Sequence, residues 1–174
     1  IIYLPDCYMP HDNTRQISNK PISRADCGLP EDGFVFCCFN NSFKISPNEF
    51  DIWMRLLNKI EGSVLWLLKA NEWSESNLRN EASKRGVNVD RLVFADRLPL
   101  EKHLGRLRLA DLFLDTFNFN AHTTASDALW AGIPLVTKIG KSFASRVAGS
   151  LLNAIELPEL ITTTEKEYEA LALS

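Results

Sequence analysis

From Phe34 onward the chain alternates between two patterns. Short, nearly continuous apolar runs, "FVFCCFN", "SVLWLLK", "RLVFAD", "LFLDT" and "PLVTKI", are separated by longer stretches of mixed polarity. The apolar runs predict strands buried on both faces, and the stretches between them predict a helix after each strand. That alternation predicts a parallel sheet covered on both sides, a doubly wound, Rossmann-like α/β domain.

Local signals agree with the pattern. In "SPNEFDIWMRLLNKI", Ser46 suits the N-cap, Pro47 the first helical position, and Glu49 completes a capping box. Phe50, Trp53, Leu57 and Ile60 then form one apolar stripe. Gly86 and Gly132 stand where helices should stop, with Pro134 just beyond the second. In "LPLEKHLGRLRLAD" a helix is expected from about Leu100, with Leu100, Leu104 and Leu107 buried. "TEKEYEALAL" predicts a closing helix, cut short by the end of the chain. Residues 1–29 lack either period and carry prolines at 5, 10 and 21, so they read as a connecting arm before a domain at 30–174. No internal repeat or low-complexity segment stands out.

Composition narrows the class. A chain of 174 residues can bury one sizeable core, and 45% apolar with 24% charged residues is ordinary for a globular domain. With 19 basic against 22 acidic residues, nothing predicts a general binder of nucleic acid or of a membrane surface. An anion would have to be held locally. Cys7, Cys27, Cys37 and Cys38 show neither zinc spacing nor the density of a disulfide scaffold; Cys37 and Cys38 read as small buried residues, and a reducing cytoplasm is expected. No apolar stretch approaches the roughly 20 residues that span a bilayer, and the start lacks a signal-peptide pattern. The chain opens on isoleucine, so a piece of a longer protein is expected.

In open parallel sheets ligands bind beyond the carboxyl ends of the strands, which directs attention to the loops after the first, third and fourth runs. Asn40, Asn41 and Lys44 follow the first; Arg97, His103 and Arg106 the third; His122, Thr123, Thr124 and Asp127 the fourth. In "HTTASD" the free amides of a helix start, the macrodipole and two hydroxyls can hold a phosphate. The same letters fit a T-x-x-D capping box, Thr124 to Asp127, worth about 1 kcal/mol. The two coexist, since capping occupies only one or two donors. Lys44 can reach such an anion as a point charge or can be a solvated surface lysine. Asn40 and Asn41 suit turns for their own backbone reasons. His103 and Arg106, three apart on a helix, share a side; they offer a flat ring and a cation to a nucleobase, or are a boundary histidine beside a solvated arginine.

There is no G-x-G-x-x-G after the first strand, no Walker P-loop, no G-x-S-x-G elbow and no H-E-x-x-H, so dinucleotide oxidoreductases, P-loop NTPases and serine hydrolases lose ground. Asp111 and Asp115 are too far apart along a strand to chelate one ion, and no metal site is expected.

The segments "GLPEDGFVFCCFNNSFKISP", "SVLWLLK", "RLADLFLDTFNFNAHTTASDALWAGIPLVT" and "FASRVAGSLL", from Gly28 to Leu152, resemble the C-terminal lobe of the catalytic region of O-linked N-acetylglucosamine transferases. That family includes the SPINDLY-like proteins, and the chain looks closer to its bacterial members. The resemblance implies the second lobe of a GT-B fold, the lobe that holds most of a UDP-sugar. By resemblance Lys44 matches the lysine at the donor diphosphate, His122, Thr123 and Thr124 the phosphate-binding turn, and Asp127 the acidic residue just inside that helix. His103 matches the uracil-stacking histidine and Arg106 its neighbour, while Arg97 and Leu98 occupy the segment whose backbone meets the base. Two positions depart: Asn41 replaces a glutamine of animal members at the diphosphate, and Leu100 a lysine near the ribose. The family's first lobe and tetratricopeptide repeats have no counterpart in these residues.

The function implied is half of an inverting, metal-free transferase moving N-acetylglucosamine from UDP-N-acetylglucosamine to Ser or Thr hydroxyls of proteins, with Lys44 as the catalytic charge and the chain inactive alone. The alternatives are transfer from another UDP-sugar such as UDP-glucose, a non-catalytic nucleotide-sugar sensor, or an α/β domain that binds no nucleotide.

Overall fold

The computed structural model describes residues 7–174. Six parallel strands form one sheet: β1 (Val35–Cys38), β2 (Val64–Leu68), β3 (Leu92–Ala95), β4 (Leu112–Leu114), β5 (Leu135–Lys138) and β6 (Ile161–Thr162). Their order is β3-β2-β1-β4-β5-β6. Each of the first five strands is followed by a helix: α1 (Pro47–Lys59), α2 (Glu72–Lys84), α3 (Leu100–Leu107), α4 (Thr123–Ala131) and α5 (Val147–Ala154). A closing helix α6 (Glu165–Leu173) follows β6. This is the doubly wound Rossmann-like arrangement expected from the alternation. The strand order reverses between β1 and β4, where Phe36 lies opposite Leu112 and Cys37 opposite Phe113. That reversal leaves a crevice beyond the strand ends.

The five long apolar runs became strands because both faces of the sheet are covered; all of β1, with Cys37 and Cys38, is buried. The four cysteines are free thiols. β6 has no sequence signature: two residues cannot show a period, and only pairing with β5 defines it.

α1 begins as expected, with Pro47 in its first turn and Glu49 reaching back to the Ser46 N–H at 2.7 Å. Phe50, Trp53 and Leu57 face the core and Ile60 is half-buried. Trp53 Nε1 donates to Tyr168 Oη at 3.2 Å, and that hydroxyl donates to the Asp115 carbonyl at 3.1 Å, fastening α1 and α6 to the end of β4. Gly132 ends α4 in the left-handed region, φ 86°, where a side chain would be strained. Leu104 and Leu107 are buried, but Leu100 is 46% exposed, against expectation. It is the first residue of α3, and the apolar stripe starts only one turn later.

Residues 7–29 are irregular apart from a short turn at Ala25–Cys27, but they are pinned to the sheet layer. The first six residues of the expected arm lie outside the described residues. Arg24 Nη2 donates to both carboxylate oxygens of Asp111, at 2.8 and 3.0 Å, and Asp111 also accepts from the Val35 N–H at 2.7 Å. Ser18 runs so close to α3 that a Cβ on Gly105 would stand 3.2 Å from the Ser18 carbonyl. No described helix is long and apolar enough to cross a membrane.

Candidate functional site

Beyond the ends of β1 and β4 the chain builds a wall from buried polar groups. Asn40 follows β1, and its Nδ2 donates to Thr116 Oγ1 at 2.8 Å across the reversal point. Thr116 Oγ1 donates in turn to the Phe119 carbonyl at 2.7 Å. Asp115, fully buried, accepts from the N–H groups of Thr116 (2.8 Å) and Ala121 (2.6 Å) and from Thr137 Oγ1 (2.6 Å). Burial pushes this carboxyl up to about 7, although those three donors and Lys44 favour its ionised form. Asp115 thus folds residues 116–121 into a tight loop that delivers His122 to the start of α4.

The start of α4 tests the capping reading of "HTTASD". The N-cap is His122, and no side chain caps the helix. The first donor into the helix is the Ser126 N–H, to the His122 carbonyl at 3.0 Å. The Thr124 hydroxyl goes instead to Asn40 Oδ1, and Asp127 Oδ1 to Arg15 Nη1 at 2.6 Å. The Thr124–Asp127 capping box is therefore not formed. The helix starts two residues earlier than that box requires, with His122 rather than Thr124 at the N-cap, and both side chains are claimed by partners outside the helix. The leading amides of α4 stay available to an anion.

His122 is held at both ring nitrogens. Its Nε2 lies 3.3 Å from the Ala144 carbonyl, which can only accept, so Nε2 carries the proton and Nδ1 accepts from Tyr8 Oη at 3.0 Å. Burial lowers its pKa. The Phe119 ring stacks on the imidazole, with centroids 4.8 Å apart. Lys44 sits above the other element of the site, the turn after β1: its Nζ is 4.0 Å from the Phe119 centroid and donates to the Asn120 carbonyl at 3.1 Å. Half-burial lowers the Lys44 pKa. It is not a freely solvated surface lysine, but it uses only one of three N–H donors on these partners.

At the opposite end lie α3 and the loop before it. Arg106 is only 4% exposed, so it is not a solvated arginine. Its Nη1 donates to the Asp96 carbonyl at 2.6 Å, its Nε to His103 Nδ1 at 3.2 Å, and its guanidinium lies over Phe39. Burial first, then the Arg106 charge, pushes the His103 pKa down to about 4, so the ring is neutral at pH 7. His103 also meets Phe39 edge to face at 5.0 Å. Arg97 Nη2 donates to Asn41 Oδ1 at 3.1 Å, joining the loops after β1 and β3.

Asn41, Lys44, Arg97, Leu98, His103, Arg106, His122, Thr123, Thr124 and Asp127 all line one cleft of about 570 Å³. Leu100, read from sequence as a departure beside the ribose, is not among its lining residues. Sequence reasoning missed the aromatic part of the wall, Phe39, Phe43 and Phe119, because single aromatics in loops carry no period. It also missed Tyr8 and Arg15, which reach the site from the irregular arm. Among the described residues no group of three or more His, Cys, Asp or Glu is placed to hold a metal ion.

Comparison with known proteins supports this architecture. A Caenorhabditis elegans UDP-N-acetylglucosamine–peptide N-acetylglucosaminyltransferase is 43% identical over 151 residues, covering 87% of this chain and 13% of that protein. The Arabidopsis thaliana protein SEC is 38% identical over 180 residues, covering 100% of this chain and 18% of its own. The chain thus spans less than a fifth of either relative. A solved Thermobaculum terrenum O-GlcNAc transferase mutant superposes with a TM-score of 0.77 at 32% identity, over 84% of this chain and 31% of that one. The all-parallel sheet is accordingly that of a GT-B C-terminal lobe. Animal, plant and bacterial proteins match at comparable identities, so the comparisons establish a family and not one branch of it. The model of glycosyl transferase family 41 matches residues 13–174, and the chain belongs to that family.

Proposed function

We propose that this chain is the nucleotide-sugar-binding half of an inverting, metal-independent glycosyltransferase that moves N-acetylglucosamine from its UDP donor to Ser or Thr hydroxyls of proteins. The observation that carries the reading is the uncapped start of α4 with the Lys44 ammonium beside the same loop. A diphosphate there meets amide donors, the Thr123 hydroxyl and a cation. The neutral His103 ring at the far end offers a face to uracil. Asp127 stands between these ends, close enough to His103 to influence its charge. A carboxylate repels phosphate and accepts from hydroxyls, which suits it to the ribose. The names of the relatives supply the sugar and the acceptor class.

As the sugar–phosphate bond breaks, negative charge gathers on the departing diphosphate. Lys44 and the α4 amides are already oriented to take it, without reorganisation at the moment of reaction. Proton removal from the acceptor falls to a first lobe, so this chain alone is expected to bind UDP without transferring sugar.

Calorimetric titration of UDP tests the reading. The unaltered chain should bind, and Lys44→Ala should weaken binding about ten- to a hundredfold, the worth of a hydrogen bond to a charged partner. In a protein that also carries the first lobe, the same change should lower turnover about 10²–10³-fold. Unimpaired turnover in Lys44→Ala would remove Lys44 from the mechanism.

A further inference from the structure

Residues 7–18 form no regular element, yet at three points they touch the helices that carry the cleft's residues or the turn before one of them. Tyr8 bonds His122, Arg15 pairs with Asp127, and the Ser18 N–H donates at 3.1 Å to the carbonyl of Glu101, on the helix that bears His103. The middle contact differs from the others. Arg15 and Asp127 are almost withdrawn from solvent, with side chains 13% and 7% exposed, and their atoms approach to 2.6 Å. Asp127 lines the cleft and Arg15 does not.

As a staple for the arm this pair is a poor device. Buried ion pairs are commonly matched or bettered by apolar residues of similar volume. Here, moreover, Arg15 Nε is buried without a hydrogen-bond partner among the described residues. The rest of the guanidinium is held from behind: Nη2 lies 3.1 Å from His11 Nε2, and the His11 ring packs on Trp130 of α4 at 5.2 Å. The arrangement does fix the orientation of one carboxylate. Oδ1 of Asp127 is committed to Arg15, while Oδ2 has no hydrogen bond to any described residue. The pairing also keeps that carboxylate compatible with an anionic ligand, since its charge is matched from outside the cleft.

We propose that Arg15 is a positioning residue for the nucleotide: acting through Asp127, it aims the free oxygen that receives the ribose hydroxyls and makes the arm part of the donor site. This rests on the reading that the cleft binds a UDP-linked sugar. A group that merely fastens the arm would alter stability without altering how the site reads the ribose.

The test compares UDP with 2′,3′-dideoxy-UDP by calorimetry, alongside melting temperatures, for the unaltered chain, Arg15→Ala and Arg15→Lys. The unaltered chain should favour UDP by about tenfold, one charge-assisted hydrogen bond. Arg15→Ala should bring that preference close to unity, and Arg15→Lys should keep part of it. If Arg15→Ala melts below the assay temperature, Arg15→Gln reads the same ratio, keeping hydrogen bonding without the charge. An unaltered chain that binds UDP with no such preference, or an Arg15 variant that retains it in full, would overturn the inference and leave the site reading standing. Failure of the unaltered chain to bind UDP would overturn both.

Discussion

His103 shows how one residue's chemistry is set by its surroundings. In an unfolded chain an imidazole takes up its proton near pH 6.5, whereas in the folded protein burial and Arg106 defer this to about 4. Between those values the unfolded state binds the additional proton, so stability falls as pH drops through the window and the loss is complete below it. The melting temperature of the unaltered chain should therefore decline more steeply from pH 6.5 to 4 than that of His103→Gln. Parallel curves would mean that His103 titrates normally. The same neutrality suits the ring to stack on an uncharged base. Helical spacing alone places His103 and Arg106 only on one side of a helix, and it was the family resemblance that pointed to a base. The burial of Arg106 depends on the Asp96 carbonyl in the loop before α3 and on Phe39, which follows a strand far earlier in the chain.

Among the elements, the loop from β4 to α4 carries the most consequence for function. Its form depends on Asp115, which touches no ligand position but satisfies two buried amides and a hydroxyl. Asp115→Ala should destabilise the domain by about 3 kcal/mol, since a buried donor left without its acceptor costs roughly 1–3 kcal/mol. UDP affinity should fall with it, because Asn120 and His122 are carried on the same loop. Thermal or denaturant unfolding together with titration reads both effects, and an undiminished stability would contradict this role. The five long strands and the start of α1 could be read in the sequence because burial on both faces and capping are local signals. The start of α4 could not be decided there. Its letters satisfy a capping rule, and the partners that draw Thr124 and Asp127 away, Asn40 and Arg15, lie 84 and 112 residues earlier.

For the molecule as a whole, the site is a property of topology. Ten candidate residues from the segments after β1, β3 and β4 meet because the strand order reverses between β1 and β4. Sequence could nominate the loops through the rule that ligands bind beyond strand ends, and the long "HTTASDALWAG" block gave the family resemblance. The docking of the arm was invisible, because an irregular segment has no period from which a partner could be inferred. On the proposed reading, in which the cleft holds one side of a donor, the chain should bind without catalysing. With UDP-N-acetylglucosamine and an acceptor peptide, this chain should give no glycosylated product by mass spectrometry; detectable transfer would mean that the chain carries its own means of activating the acceptor.

A crystal structure of the chain with UDP tests the assignment of the site most directly. The diphosphate should lie within hydrogen-bond distance of the leading α4 amides and Lys44 Nζ, with uracil against the His103 ring and the ribose at Asp127. UDP seated elsewhere, or a cleft that stays empty at saturating concentration, would contradict it.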